Sequence, residues 1–479
     1  MLLTYLAGGG EYAIVEPCGV IMKGHQVQTD SIWRTQKVRK PLWRRIVRLV
    51  FRTAIVLLVV AGAAFLAWSY LADRWLHEQL AAIQATGDPM TFAEMHEAIK
   101  PVDPADDAKP FYAAAVDLYR RPSGSDNCDL DFDKALADGK PVSSDLAAKI
   151  QKMVDENKLC LEMLDHGGAL PGCSYEFGFQ YGLMAARFSG PRNLAQAASL
   201  RTRMLALAGE GDKAIDSHVS SLRMLRMCDQ QPLLITHLIR VSCLNLAAQD
   251  VPVILEHGKP SVGQLAKLEA AIKEAEETQD FRRTIIGERV FVLATARKLI
   301  STAPKEPWEC PSSIEAYPDN WWARPYAKMM VANELEKLNA AGTAAQTDWP
   351  NILQAEQAAA VKCSQSKLAA FSQATMPLQM SMTALTGRSL AIARATRVAI
   401  MARRYQMETG NLPAGLDELA THFNATLPND PFTGKPLIYR QAGSGFAVYS
   451  VGEVGKDLGI DKINNFADAK DSNWGIRIE

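Results

Sequence analysis

T-A-I-V-L-L-V-V-A-G-A-A-F-L-A-W-S-Y-L-A, Thr53 to Ala72, runs twenty residues without a charge. At 1.5 Å per residue a helix of that length covers about 30 Å, the thickness of a bilayer's hydrocarbon core. Trp68 and Tyr70 lie near its distal end, where amphipathic rings favour the headgroup region, and Asp73 and Arg74 close it. The stretch predicts a transmembrane helix over 53–72. Core helices rarely stay uncharged for so long beside a basic cluster. A cleaved signal peptide has a short basic lead and an apolar region of about 7–15 residues. Here the lead is 52 residues, and bulky Tyr70 stands where cleavage after Ala72 needs a small side chain. An uncleaved signal-anchor is expected.

Charge is distributed to match. The net charge is -1, yet residues 1–52 hold nine Lys/Arg against three Asp/Glu, all nine lying from Lys23 to Arg52. Positive charge stays on the cytoplasmic side. The expectation is a single-pass protein of a bacterial inner membrane, with residues 1–52 cytoplasmic and the chain from 73 onward periplasmic. Trp33 and Trp43 lie among the arginines, which raises a nucleic-acid patch as an alternative. The position directly before an apolar span favours the lipid bilayer as partner, and no nucleic acid is expected. Met22 immediately precedes the basic lead, so Met1 and Met22 both stand as translation starts.

Hydrophobic residues make up 48% of the 479-residue chain, enough for a sizeable core, which excludes disorder as the main state. Eight cysteines are too few for a disulfide scaffold, and near-average Gly and Pro exclude a collagen-like chain. From about Met90 to Met407 the pattern is helical, broken at Pro and Gly clusters. Clear helices include Ser144 to Leu164, Arg192 to Leu207, Lys213 to Met227, Leu233 to Leu255 and Leu385 to Met407. Arg121 to Pro141 and Ala303 to Asp319 read as loops. The turn Gly209-Glu210-Gly211-Asp212 resembles, locally, the hairpin of tetratricopeptide repeats. Further copies at a fixed period are missing, so a generic array of α-hairpins is expected, of the kind that exposes grooves for partners.

Motifs for chemistry are sparse. The sequence holds no G-x-S-x-G, G-x-G-x-x-G, Walker loop or C-x-x-C, and no two histidines stand within four residues of each other. Glu288-Arg289, inside the apolar run I-I-G-E-R-V-F-V-L, is the most conspicuous charged pair. It reads first as a buried ion pair that holds helices in register. The alternative is a membrane-tethered hydrolase built on Glu288, Arg289 and His237. Cys160 and Cys173 flank a Gly-rich loop and are the pair to test for a disulfide. For Cys228, Cys243 and Cys363 buried free thiols are expected.

After Met407 the grammar changes to short strands and turns. Leu437 to Arg440 and Phe446 to Val451 read as a hairpin around a five-residue turn, and Trp474, Ile476 and Ile478 alternate as on a half-buried third strand. G-N-L-P-A-G-L-D-E-L, N-D-P-F-T-G-K-P-L-I-Y-R, G-F-A-V-Y-S-V-G and A-D-A-K-D-S-N-W follow in order. This succession, over about Leu385 to Glu479, resembles the globular domain of type II secretion major pseudopilins; the rest of the chain resembles no characterised family. The resemblance implies a calcium site in the loop after the hairpin, placed here on Asp457, Asp468 and the Val451 carbonyl, because calcium takes six to eight hard oxygens. The chain departs from the family at Val454, where an aspartate is expected. It departs again near Phe51, where Val50 replaces a glycine and Ile55 a glutamate, so prepilin-type processing is not expected.

The fold expected is therefore mainly α. It comprises a basic tail (1–52), a transmembrane helix (53–72), an extracytoplasmic hairpin-array-like helical domain (73–379) and a small α+β pseudopilin-like domain (380–479). A non-enzymatic scaffolding or protein-interaction role, linked to type II secretion-like machinery, is the leading expectation. A tethered hydrolase and a divergent pseudopilin are its alternatives.

Overall fold

The uncharged stretch lies inside a longer helix than the sequence bounds set, for α1 runs Leu42–Thr86. The computed structural model describes residues 42–98, 101–121, 128–137, 140–174, 181–229, 232–277, 280–296, 320–345, 349–364, 369–464 and 472–478. With 74% helix and 6% strand the protein is mainly α, as expected. It divides into two compact units, Met1–Tyr70 and Leu71–Glu479.

In the first unit the most apolar window of α1 has a mean hydropathy of 2.4, and none of it is buried. Leu58 is 72% exposed and Leu66 70%. Burying such a side chain is worth about 1.5–3 kcal/mol, so the helix presents a large apolar surface to whatever surrounds it. By length and composition it can cross a membrane. Arg44, Arg45, Arg48 and Arg52 follow i, i+1, i+4, i+8 spacing and share one side of its first turns. Leu234–His257 is also long and apolar, with a mean hydropathy of 1.4, but 67% of its window is buried inside the fold, as in a core helix.

The second unit opens with the remainder of α1, which buries Ala72, Leu76 and Ile83. There follow α2 (Phe92–Glu97), α3 (Lys109–Leu118), α4 (Cys128–Ala137), α5 (Ser144–Glu156), α6 (Lys158–Ala169), α7 (Tyr181–Leu207) and α8 (Gly211–Met224). Next come α9 (Arg226–Asp229), α10 (Leu234–His257), α11 (Val262–Glu277), α12 (Phe281–Thr295), α13 (Arg324–Ala344), α14 (Trp349–Ser364), α15 (Ala369–Thr409) and α16 (Leu416–His422).

Several expectations need correcting. Helix α4 occupies the expected loop Arg121 to Pro141, held by Phe132, which is fully buried. The helix expected over Ser144 to Leu164 is two helices broken at Asn157. That side chain accepts from the Arg120 backbone N–H at 2.9 Å and donates to the Arg120 and Met153 carbonyls at 3.0 Å each, satisfying a break that no Gly or Pro marks. Helix α7 begins at Tyr181 and carries Pro191 inside it. Cys160 and Cys173 are separate buried thiols, pushed up by burial to about 11 and about 12. Cys228 and Cys243 are buried and free, as expected. The expected loop Ala303 to Asp319 and the side chain of Cys363 lie outside what is described.

Two hairpins organise the helical part. The turn between α7 and α8 uses Gly209 at φ +77°, a left-handed conformation that suits glycine. It meets the turn between α10 and α11: a Cβ on Gly211 would lie 2.3 Å from the Gly258 carbonyl oxygen, and the Ser261 N–H donates to Asp212 at 2.7 Å. Helix α8 consequently lies between α6 and α11, with α7 and α10 packed behind it.

The sheet comprises β1 (Ile438–Ala442), β2 (Gly445–Ser450), β3 (Ile463–Asn464) and β4 (Asn473–Ile478), in the order β1-β2-β4-β3. The first three neighbours are antiparallel, while two-residue β3 pairs parallel to β4. The hairpin turn is Gly443-Ser444, two residues rather than five, with Gly443 at φ +61°. Strand β4 is interior, not half-buried: Trp474 is fully buried, and a Cβ on Gly475 would stand 2.2 Å from the Val448 carbonyl oxygen. The sheet packs on α15, and one hydrophobic core runs from Ala108 and Leu194 through Val398 to Ile478. The boundary drawn at 379/380 falls within α15 and within a unit that is continuous in packing.

Candidate functional site

Glu288, Arg289 and His237 are each engaged by different neighbours. Glu288 and Arg289 are adjacent on α12 and take separate partners. Arg289, 2% exposed, donates to Asp88 at 2.9 Å and to Asn339 at 3.3 Å. Burial alone would raise the Asp88 carboxyl, but hydrogen bonds from Arg289, Thr86 and Arg282 hold it below its ordinary value. Glu288 instead accepts the Leu234 backbone N–H at 3.2 Å, at the start of α10. Desolvation, reinforced by the charge of Glu334, pushes it up to about 7. His237 stands 2.9 Å from the Thr386 hydroxyl, and burial followed by the charge of Arg240 lowers it to about 3. It borders a cavity of only about 30 Å³, whose lining includes neither Glu288 nor Arg289. A space of that size holds about one water.

At the C-terminal loop, Asp457 receives the Tyr449 hydroxyl at 3.0 Å, the Gly459 N–H at 2.9 Å and the Arg440 guanidinium. Burial alone would raise this carboxyl; the Gly459 and Tyr449 hydrogen bonds and the Arg440 charge lower it. Val451 donates its N–H to Asp430 at 3.1 Å. Asp468 lies outside the described residues, and among the described residues no three His, Cys, Asp or Glu are grouped to hold a metal. Calcium at Asp457 has to displace the Arg440 guanidinium.

Asp430 is where two motifs meet. Only 2% exposed, it accepts the Phe432 N–H at 2.8 Å, the Ser450 hydroxyl at 2.9 Å and the Val451 N–H at 3.1 Å. The D-P-F-T-G-K-P and Y-S-V-G elements, separate in sequence, are thus clasped through one carboxylate.

One concave site among these helices is one that sequence reasoning missed. A cleft of about 440 Å³ lies over α8, with α6 and α7 contributing one wall and Lys267 of α11 the other. Its floor is low because α6 comes close: a Cβ on Gly168 would stand 2.9 Å from the Ser220 Cα. Arg201 binds Asp165 through two hydrogen bonds of 2.8 and 2.7 Å, and Lys267 reaches Asp216 at 2.6 Å. Both carboxylates of the lining are therefore matched, and its other two cations face carboxylates just outside it, Lys213 with Glu210 at 2.6 Å and Arg223 with Glu274 at 3.9 Å. On α8, Lys213, Asp216, Ser220 and Arg223 follow helical spacing, the signal from which this polar face is legible. Such volume and mixed polar lining suit a bound ligand or peptide segment.

Behind the cleft, Arg203 of α7 pairs with Asp250 of α10 at 2.6 Å and with Asp133 of α4, all three elements converging on a site with Arg203 3% and Asp250 2% exposed. The Ser199 hydroxyl donates to Asp250 at 2.6 Å, and His218 Nδ1 stands 3.4 Å from it. Comparison with family models, curated proteins and solved structures finds no match for the chain.

Proposed function

We propose that the protein is a single-pass component of a bacterial inner membrane, with residues 1–52 cytoplasmic, that displays its helical unit in the periplasm to scaffold or bind other proteins. The unburied apolar surface of α1, bordered by its arginines, carries the anchoring part of this reading. The cleft over α8 supports the binding part, as does the engagement of Glu288, Arg289 and His237 in contacts between helices. Crosslinking in native membranes followed by mass spectrometry tests it. Reproducible recovery of specific other chains is expected; recovery of the protein alone overturns the scaffolding role.

Orientation has its own test. Replacing Arg44, Arg45 and Arg48 by glutamate removes three positive charges and adds three negative ones beside the span. A topology reporter fused after residue 479 is expected to shift toward the cytoplasmic side. An unchanged reporter contradicts the orientation.

A link to type II secretion-like machinery rests on the resemblance of the C-terminal region. Calcium belongs to the same reading. Millimolar Ca²⁺ is expected to raise the Tm of the full chain through ligand linkage, more so in Arg440→Gln and not in Asp457→Asn. A Tm that ignores calcium in all three proteins removes the metal.

A further inference from the structure

The start of α13 presents large rings outward from a fixed backbone. Trp321 is 74% exposed and Trp322 60%, and with Tyr326 they are the exposed large aromatics among the described residues of the second unit. Beneath them the Asn320 carbonyl accepts the Ala323 and Arg324 N–H groups at 2.8 and 2.9 Å, and Ala323, Pro325 and Ala327 are buried. Pro325 stands in the first turn of the helix, where its missing N–H costs nothing. An exposed apolar patch built on such a base marks a contact with something outside the fold.

The place of this turn follows from how α13 lies along the part of α1 inside the unit. Leu76 and Ile83 of α1 share a core with Ala327, Val331, Leu335 and Leu338. Lys328 pairs with Asp73, and further along α13 Asn339 donates to the Gln79 carbonyl at 3.3 Å and to the Gln79 side-chain oxygen at 3.2 Å. The two helices therefore advance in the same direction, and α13 starts at the Leu71 end of the unit. Arg324 precedes Lys328 by about 6 Å of helix rise, so Trp321 and Trp322 lie on the side of Asp73 from which α1 enters. Asp73 directly follows the uncharged stretch, and Leu71 is itself exposed.

We propose that the start of α13 is a second membrane contact, in which Trp321, Trp322 and Tyr326 lie in the headgroup region of the bilayer that α1 crosses. This rests on the anchoring reading above and adds what the second unit does at the lipid surface. A hydrocarbon core of about 30 Å within a bilayer of about 40–45 Å leaves roughly 5–8 Å of headgroup region on each side, a depth that matches the step from Lys328 to the aromatic turn. Trp and Tyr favour that depth because their rings are apolar while the indole N–H and phenol O–H find acceptors among lipid oxygens. A zwitterionic phospholipid supplies all of this. Trp and Tyr also serve protein interfaces, but the place of these rings beside the end of the span favours lipid. One span alone leaves a unit free to tilt; a second contact fixes which face it turns to the bilayer and which to its partners.

The test is fluorescence quenching of the full chain in nanodiscs of zwitterionic phosphatidylcholine. Wild type minus Trp321→Phe/Trp322→Phe isolates the emission of the two rings, and wild type minus Trp68→Phe isolates a ring of the span. Phenylalanine keeps an apolar ring at each position, so both variants are expected to keep their Tm. The Trp321/Trp322 emission is expected to fall by about half or more with lipid brominated high on its acyl chains, to fall less with bromines near the bilayer centre, and to be shielded from aqueous iodide. Quenching by iodide without quenching by brominated lipid places the rings in water and overturns the proposal. Shielding from both means that protein covers them, whether another part of this chain, a second copy or a partner, and overturns it equally. The Trp68 emission separates the two readings. If brominated lipid quenches Trp68 but not Trp321 and Trp322, the anchor stands and the second contact falls; if it quenches neither, the anchor falls as well.

Discussion

Arg203→Met is expected to cost the second unit about 3–5 kcal/mol, a large part of the stability of an ordinary domain. Arg203 is the cation shared by buried Asp250 and part-exposed Asp133, and it joins α4, α7 and α10. Burial alone would raise the Asp250 carboxyl; the Arg203 charge, then His218 and Ser199, hold it below its ordinary value. Methionine fills the space but leaves a buried carboxylate without its cation. Asp250 then binds a proton more readily than in the unfolded chain. The sign follows: the variant loses stability as pH rises from about 3.8 through the new, higher folded value. Adding Asp250→Asn removes the unpaired charge and is expected to recover much of the loss. Denaturant unfolding at pH 8 reads both. A loss below about 1 kcal/mol, or a double variant no more stable than the single one, means that the pair does not hold these helices.

The second large effect is a pH dependence that wild type conceals. Glu288 titrates at about 7 when folded and 4.5 when unfolded, so the folded state holds the extra proton between these values. Its contribution is full below pH 4.5 and is lost as pH rises toward 7, a total of about 3 kcal/mol at 1.36 kcal/mol per unit. His237 runs the other way. Lowered from 6.5 to about 3, its contribution is full above pH 6.5 and is lost as pH falls toward 3. From pH 4.5 to 6.5 the two slopes oppose each other, so these two contributions largely cancel. Glu288→Gln keeps an acceptor for the Leu234 N–H and removes the charge. It is expected to match wild type near pH 4.5 and to exceed it by about 3 kcal/mol at pH 8. Urea unfolding across this range checks it, and a constant difference between the two proteins refutes the assignment.

How far sequence carried the reading depends on how local each signal was. Thr53 to Ala72 is legible because membrane crossing is a property of composition and length. The hairpin was legible from alternation and Gly443, although the turn proved tighter and β4 more deeply buried. Helix α4 was hidden behind Pro122-Ser-Gly-Ser-Asp-Asn, and the break at Asn157 depends on Arg120, 37 positions away. Glu288 and Arg289 looked like each other's partners because they adjoin; along a helix, neighbours in sequence do not face each other. The cleft escaped notice because Asp165, Arg201, Arg223 and Lys267 are brought together only by the stacking of hairpins. Only the polar face of α8 was local enough to read.

The strand order has a consequence for folding. β4 lies between β2 and β3 although it follows both in sequence. Until β4 docks, the β1–β2 hairpin has an unfilled edge. An open edge is a template for pairing with another chain. Closure of the sheet by its last strand is therefore the step at which two unfolded copies would mispair, in refolding from denaturant as in first folding.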